Sequence, residues 1–256
     1  MKTAGIDVGF DTIKVAVMAD GKVLAKAVGE AGCIGRENHI GQLYGEALAA
    51  AGLQAGDVEK VFATGVGKYS VKFAADHITD AFAEAKAAKY FFKGATAIVD
   101  IGADQTRVVA LEGDGIKEIV LNQKCMAGLG LILDVMADRL GYSLDEISKL
   151  EAGADKGVFV NDGCPVFAEL DSLEELNKGT PKEQVMGAVI NTVAYRLNSI
   201  LHDKVMPAKD TTVLLGGVSQ NAAVVGKLEA RSGVRFIIPE DALYGGAIGC
   251  AVAAAG

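Results

Sequence analysis

The chain contains no tryptophan, and aromatic residues fill only 6% of its 256 positions. Its apolar volume must therefore come from alanine, valine, leucine and isoleucine. A basic excess is also missing: 25 lysines and arginines face 33 aspartates and glutamates, for a net charge of −8. Nucleic acids and anionic membrane surfaces both need a basic face, so the balance argues against either as a partner. No apolar run reaches the about 20 residues of a membrane span. The start, Met1-Lys2-Thr3-Ala4-Gly5-Ile6-Asp7, enters a strand-like pattern at once, without the apolar core of a secretion signal. The expected compartment is cytoplasmic and reducing. Only four cysteines occur, Cys33, Cys125, Cys164 and Cys250, and no two have Cys-x-x-Cys spacing. Disulfides are not expected in such a compartment. A cysteine with a function would act there as a thiolate or a metal ligand. What the chain does have is glycine, at 32 positions, which suits close backbone packing and tight anion loops.

The length exceeds one small core, so two lobes or one large α/β unit are expected. Strands are predicted over 3–7, 13–18 and 23–28, with Asp20-Gly21 as a hairpin turn. A helix follows over 40–51, stopped by Gly52. A short strand over 58–63 leads to Thr64-Gly65-Val66-Gly67-Lys68. The spacing of Ile78, Ala81, Phe82, Ala85 and Ala88 predicts a helix over 77–89. The pattern then restarts, with strands over 95–101, 107–112 and 116–121. Ile6-Asp7-Val8-Gly9, a turn and a strand are echoed by Val99-Asp100-Ile101-Gly102, a turn and a strand. This internal repeat predicts two lobes of similar construction. Residues 1–94 are assigned to the first, with 240–256 packing back onto it, and 95–239 to the second. Helices are expected over 131–140, 144–150, 166–177 and 183–201. A strand over 211–215 and a small-residue helix over 245–255 complete the chain.

Three glycine loops carry candidate chemistry. Asp7-Val8-Gly9-Phe10-Asp11-Thr12 lies between two strands. Glycine lets backbone amides approach an anion, Thr12 adds a hydroxyl, and Asp7 can hold a hydrated Mg²⁺. Alone, the segment reads equally well as a plain hairpin loop. Asp100-Ile101-Gly102-Ala103-Asp104-Gln105-Thr106 repeats the chemistry, and the pair is more specific than either member. Leu214-Leu215-Gly216-Gly217-Val218-Ser219-Gln220-Asn221 brings a buried strand to two glycines and a helix start. Backbone there can lie against an adenine or ribose, and helix amides favour phosphate. An ordinary turn with a serine cap reads the same way. Tyr244-Gly245-Gly246 opens the last helix, for close packing or for ligand contact.

This order of loops resembles the superfamily of sugar kinases, Hsp70 and actin. The resemblance implies a two-lobed α/β fold of the ribonuclease H-like kind, with an internal repeat and an interlobe nucleotide cleft. It implies ATP or ADP with Mg²⁺. Asp7, Asp100, Asp104 and Gln105 become the catalytic candidates. Gly9, Asp11, Thr12, Lys14, Gly102, Thr106, Gly216, Gly217, Ser219, Asn221, Gly245 and Gly246 become the nucleotide-binding candidates. A P-loop is excluded, because no Walker-type motif is present.

Cys125 and Cys164 each stand just before a predicted helix, and Pro165 suits a first helical turn. A helix N-terminus stabilises a thiolate. A [4Fe–4S] cluster takes about four thiolates, and two chains about a two-fold axis would offer four. Without context, buried structural cysteines fit as well. The context is Asn122-Gln123-Lys124-Cys125-Met126-Ala127-Gly128-Leu129-Gly130, and later Cys164-Pro165-Val166-Phe167-Ala168-Glu169. These segments resemble the ATP-dependent activators of 2-hydroxyacyl-CoA dehydratases and the related ATPase subunits of benzoyl-CoA reductase. Thr64-Gly65-Val66-Gly67-Lys68 resembles their Thr-Gly-Tyr-Gly-Arg loop, and Gly216 to Asn221 their Gly-Gly-Val-Ala-x-Asn. The resemblance implies a homodimer with one [4Fe–4S] cluster held by Cys125 and Cys164 of each chain. It also implies ATPase-coupled delivery of one low-potential electron to a client iron–sulfur enzyme, with a ferredoxin or flavodoxin upstream. Cys33 and Cys250 match no ligand position and are expected to be structural.

The match has departures. The family's second loop reads Asp-Ile-Gly-Gly-Gln-Asp-Thr, whereas here Ala103 replaces a glycine and Asp104-Gln105 reverses the next pair. The first loop carries Phe10-Asp11 where small Ser or Thr residues are usual. A client other than a dehydratase, such as a double-cubane cluster protein, is compatible with them. Two other functions stay open on sequence alone. A small-molecule kinase of the same fold would use Asp100 or Asp104 as base and leave the cysteines idle. A non-redox, ATP-driven interaction protein would assemble filaments or hold a partner.

Overall fold

The computed structural model describes residues 1–32, 34–122, 128–151, 153–203 and 211–256. The chain divides into two compact units. The first takes Met1–Ile98, Leu111–Lys117 and Pro239–Gly256, and the second Val99–Ala110 and Glu118–Ile238. In chain order the first run of elements is β1 (Lys2–Val8), β2 (Thr12–Ala19), β3 (Lys22–Glu30), α1 (Arg36–Ala50), β4 (Lys60–Thr64), β5 (Asp76–His77) and α2 (Asp80–Phe91). The second run is β6 (Ala97–Ile101), β7 (Thr106–Glu112), β8 (Gly115–Leu121), α3 (Leu129–Leu140), α4 (Leu144–Ser148), α5 (Pro165–Asn177), α6 (Lys182–Asp203), β9 (Thr212–Leu215), α7 (Ala222–Ser232) and β10 (Phe236–Ile237). The helix α8 (Gly245–Ala255) closes the chain. No described helix is long and apolar enough to cross a membrane.

Each run builds one five-stranded sheet, and the two sheets share a strand order. The first reads β3-β2-β1-β4-β5, and the second, from its other edge, β8-β7-β6-β9-β10. In the first, β1 and β2 pair antiparallel, as do β2 and β3, while β4 lies parallel to β1 and β5 parallel to β4. The middle strands are buried nearly throughout, and the edge strands β3 and β8 are not. Central strands covered on both faces become continuous apolar runs, and edge strands keep polar positions. Ile6, Ile13, Val15 and Val17 pack with Ile40, Leu43 and Leu48 of α1 on one face of the first sheet. In the second unit, Val99, Ile101 and Val108 pack with Leu129, Leu133 and Met136 of α3 and with Met186, Ile190 and Leu197 of α6.

The other face of the first sheet packs on α8, where almost every side chain is small. A Cβ on Gly5 would sit 1.9 Å from the Ala247 carbonyl oxygen, and one on Gly249 1.8 Å from that of Ala83. Backbone thus meets backbone on two sides of α8, from β1 and from α2. Gly249→Ala should lower stability by about 1–3 kcal/mol, the ordinary cost of overpacking when helices can part slightly. A drop in the urea midpoint at unchanged slope would show it.

The same crowding corrects one expectation. The helix read over 77–89 starts instead at Asp80, because Thr79 caps it and accepts the Phe82 N–H, while His77 extends β5 beside β4. Phe82, placed on the apolar face by its spacing, is 42% exposed. Close approach of α8 favours small side chains, and Ala81, Ala83, Ala85, Ala87 and Ala88 are buried, as is Glu84. Other boundaries moved as well. The strand read over 58–63 is Lys60–Thr64, since Ala55–Asp57 forms a 3-10 turn with reciprocal Gln54 and Asp57 capping bonds. The helix read from 40 begins at Arg36. The helix α7 and the two-residue strands β5 and β10 carried too weak a pattern to be delimited.

Candidate functional site

In the first unit, Asp7 is the penultimate residue of β1, and pairing with β2 sets Lys14 opposite it. Lys14 Nζ lies 3.8 Å from Asp7 Oδ2, with both side chains largely shielded. The Gly9 N–H donates to the Thr12 carbonyl at 3.0 Å and closes the turn. Phe10 and Asp11 are exposed at its tip, and Thr12 is half-buried. Two glycines crowd the Asp7 carboxylate. A Cβ on Gly65 would stand 2.7 Å from Oδ1, and one on Gly246 2.9 Å from Oδ2. Gly65 is in turn fixed by Asp80, whose Oδ1 accepts the Gly65 N–H at 2.8 Å and the Thr64 hydroxyl at 3.0 Å. Gly245 is the first residue of α8.

The second unit repeats this arrangement with different residues. Asp100 is the penultimate residue of β6 and only 9% exposed. Arg107 takes the place of Lys14: its Nη2 lies 3.1 Å from Asp100 Oδ2, and its Nη1 donates to Gln105 Oε1 at 2.7 Å. The Gly102 N–H donates to the Gln105 carbonyl at 2.9 Å, as Gly9 does to Thr12. Gly216 takes the place of Gly65. The two adopt φ of +88° and +90°. A Cβ on Gly216 would stand 2.4 Å from the Ile101 oxygen and 2.8 Å from Asp100 Oδ1. One on Gly65 would stand 2.3 Å from the Val8 oxygen. The repeat visible in the two Asp-x-Gly hairpins therefore extends to strand order, to a basic partner seven residues on, and to a glycine against the carboxylate.

Some candidate side chains already serve the turns that carry them. Ser219 Oγ donates to the Gly216 carbonyl at 2.6 Å, and Asn221 Oδ1 accepts the Val224 N–H to cap α7. Gly217 is exposed between them, and Thr106 is buried at the start of β7. Gln105 is tied to Arg107, while Asp104 lies half-buried in the loop. The first unit thus gathers Asp7, Gly9, Lys14 and Gly246, and the second Asp100, Gly102, Gln105 and Gly216. Gly65 and Asp80 are site residues that the sequence did not mark out by themselves. The Thr64-Gly65-Val66-Gly67-Lys68 motif was the one signal for Gly65, and Asp80 had none.

Cys164 is the N-cap of α5, with Pro165 in the first turn, and its thiol side is half-buried and makes no capping bond. Asn161 shapes the approach: its Oδ1 accepts the N–H of both Gly163 and Cys164 at 2.9 Å, and its own N–H donates to Asp171 of α5. Beside Cys164, Val166, Phe167, Leu170 and Leu173 are all exposed. Cys125 and Cys33 lie outside the described residues. Cys250 is buried in α8; burial pushes its thiol well above the ordinary value, with the Asp7 and Asp80 carboxylates adding to the shift. Buried thiols of this kind are ordinarily structural and inert. Among the described residues no group of three or more His, Cys, Asp or Glu forms a metal site.

Residues 4–254 match the model of the BadF/BadG/BcrA/BcrD ATPase family. The (R)-2-hydroxyglutaryl-CoA dehydratase activating ATPase of Acidaminococcus fermentans is 34% identical over 98% of this chain and 95% of its own length. The activator of lactoyl-CoA dehydratase from Anaerotignum propionicum is 30% identical over 98% of this chain and 96% of its own. The crystal structure of the A. fermentans (R)-2-hydroxyglutaryl-CoA dehydratase component A superposes with a TM-score of 0.89 at 29% identity, covering 99% of this chain and 97% of that one. The fold is thus the two-lobed α/β fold expected from the order of the loops.

Proposed function

Because this chain belongs to the BadF/BadG/BcrA/BcrD ATPase family, we propose that it is an ATP-dependent one-electron donor to a client iron–sulfur enzyme. Relatives named as activators of 2-hydroxyacyl-CoA dehydratases support a client of that kind. A double-cubane cluster protein is a second client that fits. A ferredoxin or flavodoxin would supply the electron. Each glycine loop offers ATP a turn of backbone amides next to a fixed carboxylate. In this reading Asp7 and Asp100 hold hydrated Mg²⁺. Gly9, Asp11, Thr12, Lys14, Gly102, Asp104, Gln105 and Thr106 handle the phosphates. Gly216, Gly217, Ser219, Asn221, Gly245 and Gly246 shape the rest of the nucleotide site.

The observation that carries the redox part is Cys164. Its half-buried thiol sits at a helix start, beside an exposed apolar face, and the chain before it is shaped by Asn161. That position fits a cluster thiolate. Cys125 and Cys164 of two chains would hold one [4Fe–4S] cluster, which supplies a one-electron store of low potential when bound. The start of α5 would present the positive end of its dipole to an anionic cluster held there. The exposed Val166, Phe167, Leu170 and Leu173 give the second chain an apolar face to cover.

Anaerobic reconstitution should load about four irons and four sulfides per dimer, with a broad absorption near 400 nm. Cys164→Ser should lose most of that iron and still bind ADP. Iron unchanged by the substitution would overturn the ligand assignment. A wild-type chain that takes up no iron would remove the electron-transfer role altogether.

A further inference from the structure

Two backbone hydrogen bonds join the helix α3 to the second glycine loop. The Gly130 N–H donates to the Gly102 carbonyl at 3.1 Å, and the Leu131 N–H to the Ala103 carbonyl at 3.0 Å. These are first-turn amides, which have no partner inside their own helix. The approach is too close for side chains. A Cβ on Gly128 would stand 2.3 Å from the Ala103 oxygen and 2.8 Å from the Asp104 Cα. One on Gly130 would stand 2.7 Å from the Gly102 oxygen and 3.0 Å from the Ala103 Cα.

The internal repeat supplies a control. The helix α1 follows β3 as α3 follows β8, yet its Asn38 and His39 N–H groups donate to the Gly35 carbonyl, at its own start. A Cβ on Gly35 would meet nothing within 4 Å. Among the described residues, no amide of α1 reaches residues 9–12. In the first unit the loop is held before the helix instead, where the Ala31 N–H donates to the Asp11 carbonyl at 2.7 Å; among the described residues a direct bond from loop to helix is seen in the second unit.

We infer that Gly128 and Gly130 are positioning residues that tie α3 to the state of the loop at 102–105. The reason is the planarity of the peptide. The Gly102 carbonyl and the Ala103 N–H share one rigid plane, as do the Ala103 carbonyl and the Asp104 N–H. A phosphate that turns the amides of Ala103 and Asp104 toward itself must turn the carbonyls that hold Gly130 and Leu131. The motion then passes to α3 without any side chain. Cys125 lies three residues before Gly128 in the sequence, and Arg139 near the far end of α3 pairs with Glu169 of α5 at 3.2 Å. This inference rests on the reading of residues 102–106 as an ATP loop.

Hydrogen exchange of the full chain, purified anaerobically, tests it with Mg–ADP and a non-hydrolysable ATP analogue. Calorimetry first establishes that both bind. In the wild type, exchange in residues 128–140 should differ between the two nucleotides by about fivefold or more, the lower end of ordinary coupling between sites. Gly130→Ala pushes a methyl into the junction. Leu131→Pro instead deletes one of its two bonds in a helical turn that tolerates proline. Both variants should still bind nucleotide and lose the difference in α3. Two results would overturn the inference: a wild type that binds both nucleotides with no change in α3, or variants that keep the full response. A wild type that binds neither nucleotide would sink the ATP-loop reading itself, and calorimetry reports that separately.

Discussion

Asp100→Asn should reduce ATP turnover by about a hundredfold or more, the usual cost of losing a group that stabilises charge at a reacting centre. The side chain is nearly buried, so its position is set by neighbours rather than by solvent. Arg107 Nη2 meets Oδ2 at 3.1 Å, and Gly216 leaves room for Oδ1 only because it has no Cβ. Asparagine keeps that shape and removes the charge. In the proposed role of Asp100, what changes first is therefore the pull on a hydrated Mg²⁺, not the loop. The substitution has a second consequence. Arg107, with a side chain only 13% exposed, would face an amide where it now faces a carboxylate. Taking the carboxylate from a part-buried charge lowers stability. Adding Arg107→Gln should return the melting midpoint toward wild type without returning turnover. Phosphate release at saturating ATP, read beside the midpoint, separates the two effects. Turnover that survives Asp100→Asn would remove Asp100 from the catalytic set, and a recovery with Arg107→Gln would mean that charge balance alone was at stake.

The strands and the Asp-x-Gly turns were legible because alternation and glycine are local signals. The repeat was legible only at its first step, for a physical reason. Gly65 and Gly216 are equivalent in φ and in what they touch, but they sit in Thr64-Gly65-Val66-Gly67 and Leu215-Gly216-Gly217-Val218, which share no pattern. The equivalence resides in tertiary contact. Phe82 failed for the opposite reason: its spacing was helical, but the buried side of α2 is crowded by α8 and leaves no room for a ring. The helix start at Asp80 needed Thr79 to be read as a cap, and the His77 side of the boundary belongs to a two-residue strand with no signal of its own. Asp80, which fixes Gly65 beside Asp7, looked like one acidic residue among many. Cys164 was placed correctly at a helix start because Pro165 follows it.

Gly216→Ala should be the most destabilising single-methyl change in the second unit. At φ +88° and ψ 171° the residue occupies a region open almost only to glycine, which costs other residues about 1–3 kcal/mol. The new methyl would also stand 2.4 Å from the Ile101 oxygen, which is backbone in a central strand and cannot swing aside. Overpacking of that kind adds about 1–3 kcal/mol. A sum near 4 kcal/mol is a large share of the about 5–15 kcal/mol that holds a typical domain together. Gly113→Ala separates the two terms. Gly113 has φ +59°, and a Cβ there meets nothing within 4 Å, so only the backbone term of about 1 kcal/mol applies. Urea unfolding of both variants gives the difference directly. Relief by moving Ile101 would also shift Asp100, so ADP affinity should fall in step with stability for Gly216→Ala and not for Gly113→Ala. Equal costs at the two positions would mean that β6 yields to the methyl. Gly216 would then be an ordinary turn glycine, and the matching contact of Gly65 with Val8 and Asp7 would lose its meaning as part of the repeat.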